Sequence, residues 1–308
     1  MRNTLLVLLS CASLFACTQP VKVYEADLVL DSKSTLGEGA LWNDRTDELM
    51  WIDIEEGLFH RYNPLTGVNT TLEMGQKIGT VVPDSDNHYI VPLVDGIYRL
   101  AIEDSSKTLL AANPENNTTG NRFNDGKCDP AGRLWVGTVG EHESGGLYCL
   151  TQGTISQKLD KITCSNGIVW TADKKTMYYA DSPTKEVWEF DYDNQTGEIR
   201  FVRVAISIEE GVPDGMTIDS EGNLWVAQWG GYCVGCYDPR TGKMIARVNV
   251  PAKQVSSCAF GGKDRDILYI TTAKRDITAE EIEKYPHTGS LFAVQTIAKG
   301  VGTNLFAD

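Results

Sequence analysis

Hydrophobic residues in this chain gather in short runs preceded by polar turn residues, and the pattern returns six times. The runs are Leu49-Met50-Trp51-Ile52, His88-Tyr89-Ile90-Val91, Leu134-Trp135-Val136, Met177-Tyr178-Tyr179-Ala180, Leu224-Trp225-Val226-Ala227 and Ile267-Leu268-Tyr269-Ile270. Anchored on Leu49, Tyr89, Leu134, Met177, Leu224 and Leu268, the steps are 40, 45, 43, 47 and 44 residues, inside the ~40–50 residue period of propeller blades. Segments such as Asp44-Arg45-Thr46-Asp47 and Asp129-Pro130-Ala131-Gly132 supply the tight turns that introduce the runs. A partly alternating, aromatic-bearing strand follows each run, for example Leu58-Phe59-His60-Arg61-Tyr62 and Glu186-Val187-Trp188-Glu189-Phe190.

The pattern predicts an all-β fold, a six-bladed β-propeller of four-stranded blades, in preference to a sandwich or another β solenoid. No helix-length amphipathic run competes, apart from a turn near Thr278-Ala279-Glu280-Glu281-Ile282. No linker or low-complexity tract interrupts residues 24–308, which read as one domain. A strand within Tyr24-Glu25-Ala26-Asp27-Leu28-Val29-Leu30 is expected to complete the last blade and close the ring, removing a free sheet edge.

The first residues change the picture at one end. Arg2, an apolar run over residues 5–16 and then Cys17 have the layout of a cleaved signal peptide, residues 1–16, too short to span a membrane stably. Leu14-Phe15-Ala16-Cys17 resembles the bacterial lipobox, with Phe15 bulkier than usual. This implies a lipidated Cys17, a tether over residues 17–23 and a globular part in the bacterial periplasm, held at the outer membrane. Ordinary secretion with an incidental cysteine is the competing reading.

Net charge is −14 for the whole chain and −15 once Arg2 is removed. That excess argues against nucleic acid and acidic membrane surfaces as electrostatic partners, leaving the lipid as the expected membrane contact. Six cysteines remain after Cys11 and Cys17: Cys128, Cys149, Cys164, Cys233, Cys236 and Cys258. Cys233 and Cys236 lie three apart on one strand and face opposite ways, so buried free thiols are expected, with one or two disulfides as the alternative in an oxidising compartment.

The candidate chemistry sits about ten residues before the hydrophobic runs, where a residue able to offer oxygen precedes glycine: Glu38-Gly39, Asp125-Gly126, Asn166-Gly167 and Asp214-Gly215. Aligning the repeats adds Ile78 and Ser257 to the same register, with Asn124 beside Asp125. The first strand of each blade lines the channel, so these oxygens converge on one axis. Arg122 and Lys127 are the only basic residues near that register. Any one of these four pairs alone would be an ordinary turn dipeptide; recurrence points to a site for a hard divalent cation. Oxygen-only ligands with a neutral amide suit calcium, and magnesium, manganese and zinc are compatible with the same cup.

Four segments carry a family resemblance: Asn121-Arg122-Phe123-Asn124-Asp125-Gly126-Lys127, Ser165-Asn166-Gly167, Pro213-Asp214-Gly215-Met216-Thr217-Ile218-Asp219 and Cys258-Ala259-Phe260-Gly261-Gly262-Lys263. They resemble the signature segments of the gluconolactonase and regucalcin (senescence marker protein) family over residues 36–300. The resemblance implies one axial divalent metal held by Glu38, Asn166 and Asp214, a sugar lactone as substrate, and substrate contacts from Arg122 and Asn124. Asp214 would deprotonate the attacking water. One departure stands out: ungapped alignment puts His142, between Glu141 and Glu143, where the family has an acidic substrate contact. His142 is therefore a substrate-contact candidate.

No Gly-x-Ser-x-Gly elbow is present, and none of the four histidines falls in the registered cup, which argues against serine or histidine nucleophilic catalysis. Asp53 and Asp181 read as strand-end turn makers, and Trp229 as a residue that could rim a pocket. The leading expectation is a metal-dependent, gluconolactonase-like hydrolase. The alternatives are a noncatalytic calcium-binding or scaffold propeller, and a hydrolase of another lactone or an organophosphate ester.

Overall fold

The protein is described by a computed structural model over residues 20–85, 87–115 and 120–307. The expected signal peptide and the lipidation expected at Cys17 fall outside the described residues. Four repeats form separate four-stranded sheets, whose innermost strands are Gly37–Asn43, Val82–Pro83, Arg122–Cys128 and Ser165–Trp170. The rest of the propeller is one nine-stranded sheet. Six separate sheets were expected, so this part differs. The strand Leu224–Trp229 ends where Gln254–Gly261 begins, and the single pair Trp229 with Gln254 merges two series of strands into one sheet.

The hydrophobic core of the described residues is divided among six clusters, each drawn mainly from two neighbouring repeats. Met50 and Ile52 pack with Tyr89 and Val91. Trp135 packs with Met177 and Tyr179, and Trp225 with Leu268 and Ile270. Trp51 of the first repeat meets Tyr269 and Leu291 of the last, so the packing returns on itself.

The start of the chain closes the ring as expected. Asp27–Leu30 pairs antiparallel with Leu291–Gln295, while a separate strand, Lys22–Glu25, pairs in parallel with Lys243–Asn249. That second strand begins inside the segment expected to be a tether. The turn near Thr278 is a short exposed helix, Ala279–Lys284, with a capping box between Thr278 and Glu281.

At the far end of the channel the last residues cross several repeats. Thr303 Oγ1 donates to Trp42 O at 2.6 Å, Asn304 Nδ2 to Cys128 O at 3.1 Å, and the Phe306 and Ala307 amides to Pro83 O and Gly132 O. Phe306 is buried in the core between the second and third repeats. With the inner strands this tail lines a small cavity of about 70 Å³, beside Leu41, Lys127, Val169 and Thr217. All six described cysteines are free thiols.

Candidate metal and catalytic site

Each residue-glycine pair lies inside an innermost strand, at a β-bulge. Register with the next strand shifts between Glu38 and Leu41, between Phe123 and Gly126, between Asn166 and Ile168, and between Pro213 and Met216. A bulge places an extra residue opposite one partner and re-aims the side chains beside it, here toward the axis. Glycine follows for a local reason. Gly39 has φ +62°, and a Cβ on Gly167 would come within 2.6 Å of Asp214 O on the neighbouring inner strand. The dipeptides that look like turns are points where strands crowd around the channel.

Glu38, Arg122, Asn124, Asn166 and Asp214 line one cavity of about 250 Å³, with Trp229 on its wall as anticipated. Glu38, Asn124, Asn166 and Asp214 are each about 5% exposed. Glu38 and Asp214 are hydrogen-bonded to each other, and Glu38 also accepts from the Gly39 amide at 3.1 Å. Burial raises both carboxyls well above the usual carboxylate range; the Asp214 and Asp125 charges raise Glu38 further, and the Asp125 charge raises Asp214. Asp125 is raised by burial too, with Lys127 and the Gly126 N–H pulling the other way. Lys127 is itself held down by burial and donates to Met216 O.

Among the buried side-chain oxygens of the described residues that lack a hydrogen-bond partner are one from each aspartate here, Asp214 Oδ1 and Asp125 Oδ2. An orphaned carboxylate oxygen beside a second carboxyl is costly unless a cation or proton meets it. Among the described residues no three His, Cys, Asp and Glu side chains gather as a metal cluster. The cup instead offers two carboxyls, Glu38 and Asp214, with the amide of Asn166 as a third oxygen. This donor set fits a hard divalent ion.

Hydrogen bonds order the cavity wall. Arg122 Nη1 donates to Asn124 Oδ1 at 2.7 Å and to Phe123 O at 2.9 Å. Asn124 Nδ2 donates to Ser165 O at 2.8 Å and to Asn166 Oδ1 at 3.1 Å. Asn166 Nδ2 donates to Ser182 Oγ at 2.7 Å. Asp53 and Asp181 make no part of the cup; each accepts amides of the segment leading into an inner strand, Thr35 and Leu36 for Asp53, Thr163 and Cys164 for Asp181.

His142 departs from its expected place. It sits exposed in a turn with φ +52°, followed by Glu143 at φ +58°, and does not line the cavity. Two successive left-handed residues reverse the chain there, so ungapped counting from Gly137-Thr138 leads out of the site. Sequence reasoning missed Ser182 and Arg275, both on the cavity wall. Ser182 follows the strand-end Asp181, the only local signal it has.

An all-β propeller with a buried cup of carboxyls and amides at one end of its channel defines the class of protein. The chain belongs to the SMP-30/Gluconolactonase/LRE-like family, whose model matches residues 36–274. It is 38% identical over 277 residues to the putative sugar lactone lactonase YvrE of Bacillus subtilis, covering 88% of this chain and 94% of that one. It is 35% identical to regucalcin of Oryctolagus cuniculus over 287 residues, covering 89% and 96%. Among solved structures, regucalcin of Agrobacterium tumefaciens, described as a calcium-binding protein, superposes with a TM-score of 0.89 at 28% identity, covering 94% of this chain and all of that one.

Proposed function

We propose that this protein hydrolyses a sugar lactone to the aldonic acid, using one divalent cation held by Glu38, Asn166 and Asp214. The observation that carries the reading is the pair of buried, hydrogen-bonded carboxyls facing the cavity with Asp214 Oδ1 unpartnered. The lactonase name of the Bacillus relative supports the reaction, and the calcium-binding description of the Agrobacterium protein supports calcium as the ion. Magnesium, manganese and zinc remain compatible with the donor set.

When bound, the cation supplies Lewis-acid polarisation of the lactone carbonyl. Asp214 takes a proton from the attacking water as oxygen adds to the carbonyl carbon. The ring C–O bond then breaks, and the departing ring oxygen takes the proton back from Asp214 as the open-chain hydroxyl, which regenerates the carboxylate. Arg122, which forms no ion pair among the described residues, has donors left to orient ring or hydroxyl oxygens of the sugar. Asn124 lies beside it on the same wall. The test is proton release over a panel of sugar lactones, with chelator and after adding back each metal. Hydrolysis that survives exhaustive chelation, or no hydrolysis of any lactone with metal present, would sink the proposal. The second outcome would leave a noncatalytic calcium-binding propeller.

The six shared hydrophobic cores support a six-bladed reading, with the nine-stranded sheet counted as two blades joined at Trp229 and Gln254. We also propose that residues 1–16 are cleaved and that Cys17 is lipidated, placing the propeller in the periplasm at the outer membrane. Cys17→Ser should release the protein from the membrane fraction; membrane association unchanged by that substitution would rule the anchor out.

A further inference from the structure

We infer that Ser182 is the positioning residue that decides which atom of Asn166 faces the cup. An asparagine amide presents either an oxygen or an NH2 group from nearly the same place, and only the oxygen can hold a cation. Something must therefore fix its direction.

Ser182 opens a short 3₁₀ turn, Ser182–Thr184, at the end of the strand Thr176–Asp181, and is 6% exposed. Its Oγ lies 2.7 Å from Pro213 O and 2.7 Å from Asn166 Nδ2. A backbone carbonyl can only accept, so the one hydroxyl hydrogen of Ser182 goes to Pro213. The lone pairs are left for Asn166, which must then turn its NH2 toward Ser182 and its oxygen away. The other side of the amide follows the same logic. Asn124 Nδ2 is anchored on Ser165 O, again a pure acceptor, and the same NH2 group reaches Asn166 Oδ1 at 3.1 Å. Two carbonyls on different strands thus impose one polarity on Asn166 from both ends. The Ser182 end also ties that amide to the residue preceding Asp214, so two members of the donor set share one brace.

The inference rests on the reading of Asn166 as a cation ligand, and the experiment separates the two. Full-length protein, stripped of metal, is titrated with calcium chloride by calorimetry for the wild type, Ser182→Thr, Ser182→Val and Asn166→Ala. Thr and Val share a shape and differ in the hydroxyl. Partners that orient a ligand typically contribute ~10–100-fold to metal affinity, so Ser182→Val should bind calcium at least about tenfold more weakly than Ser182→Thr. Because Ser182→Val also leaves Pro213 O unpaired and so melts somewhat lower, the two affinities are compared at a temperature where thermal melts show both metal-free proteins folded. If the added methyl prevents folding, Ser182→Ala against wild type gives the same comparison, again with metal-free melting as the structural control. Calcium affinity equal within about threefold with and without the hydroxyl, while Asn166→Ala loses binding, overturns the role of Ser182 alone. Undiminished binding by Asn166→Ala overturns the ligand reading, and this inference with it.

Discussion

The same inner strands carry buried acids at both ends, and the two ends treat them oppositely. Asp129 follows Arg122–Cys128 and accepts from the Ala131 and Arg133 amides, Arg133 Nε and Trp135 Nε1. Asp219 follows Val212–Ile218 and accepts from the Glu221 and Asn223 amides, Asn223 Nδ2 and Trp225 Nε1. Every lone pair that matters there is used. At the opposite end Asp125 and Asp214 each keep an oxygen without a partner. A buried carboxylate with a full set of donors is a rivet for a turn. One left short, among like charges, is a place prepared for something the chain does not itself supply.

The sharpest way to break this contrast is Asp214→Asn. If the cup acid serves chemistry, lactone turnover should fall by ~10²–10⁴, the usual cost of losing a general base, while the metal-free fold is at least as stable because one of several repelling charges is gone. Turnover within about threefold of wild type would remove Asp214 from the role of base. Asp129→Ala should do the reverse. Losing the partner of the nearly buried Arg133 and the acceptor of Trp135 should cost about 3–5 kcal/mol of stability, read by urea unfolding, with calcium affinity unchanged in the folded protein. An Asp129→Ala protein as stable as wild type would deny the rivet.

Calcium sharpens the comparison from the ligand's side. At 100 times its Kd it should stabilise the wild type by about 2.7 kcal/mol, and Asp214→Ala should lose most of that increment in thermal melts. An equal increment in both proteins would place the ion elsewhere. The smallest expected effect belongs to the scaffold. His60 stacks on Trp51 at 3.9 Å, and burial lowers its pKa from 6.5 to about 4. The unfolded chain therefore binds a proton that the folded one refuses between those values, so this part of the stability is present above about pH 6.5 and is lost as pH falls toward 4. His60→Phe should flatten the slope of melting temperature against pH in that window by one proton's worth; an unaltered slope would show that His60 does not contribute.

What was legible in the sequence was whatever the ring repeats. The hydrophobic runs recur because each blade must bury two faces, and the glycines recur because each inner strand bulges beside a neighbour. Glu38, Asn166 and Asp214 could be aligned by these marks before any coordinates. Asp129 and Asp219 also left a signal, each standing six residues before a tryptophan that donates to it, but read singly they look like turn makers. Ser182 left almost none. Its partners, Asn166 and Pro213, come from different strands, and a lone serine is too common to stand out. His142 misled because loop residues answer to no period, so counting along one locates nothing. The merged sheet was beyond reach for a similar reason: one backbone pair, Trp229 with Gln254, has no side-chain pattern.

The strand that closes the ring is made first and used last. Asp27 pairs with Ala293, and the tail that crosses several repeats begins only after Gly300. Nearly the whole chain must be present in the compartment where it folds before the first and last repeats can meet. Until then five of the six shared cores could form but the sixth could not, leaving the edge of Leu291–Gln295 and the core around Trp51 open to other chains. The pairing that ties the first described strands to the last repeat also gives the incomplete chain its longest period of exposure.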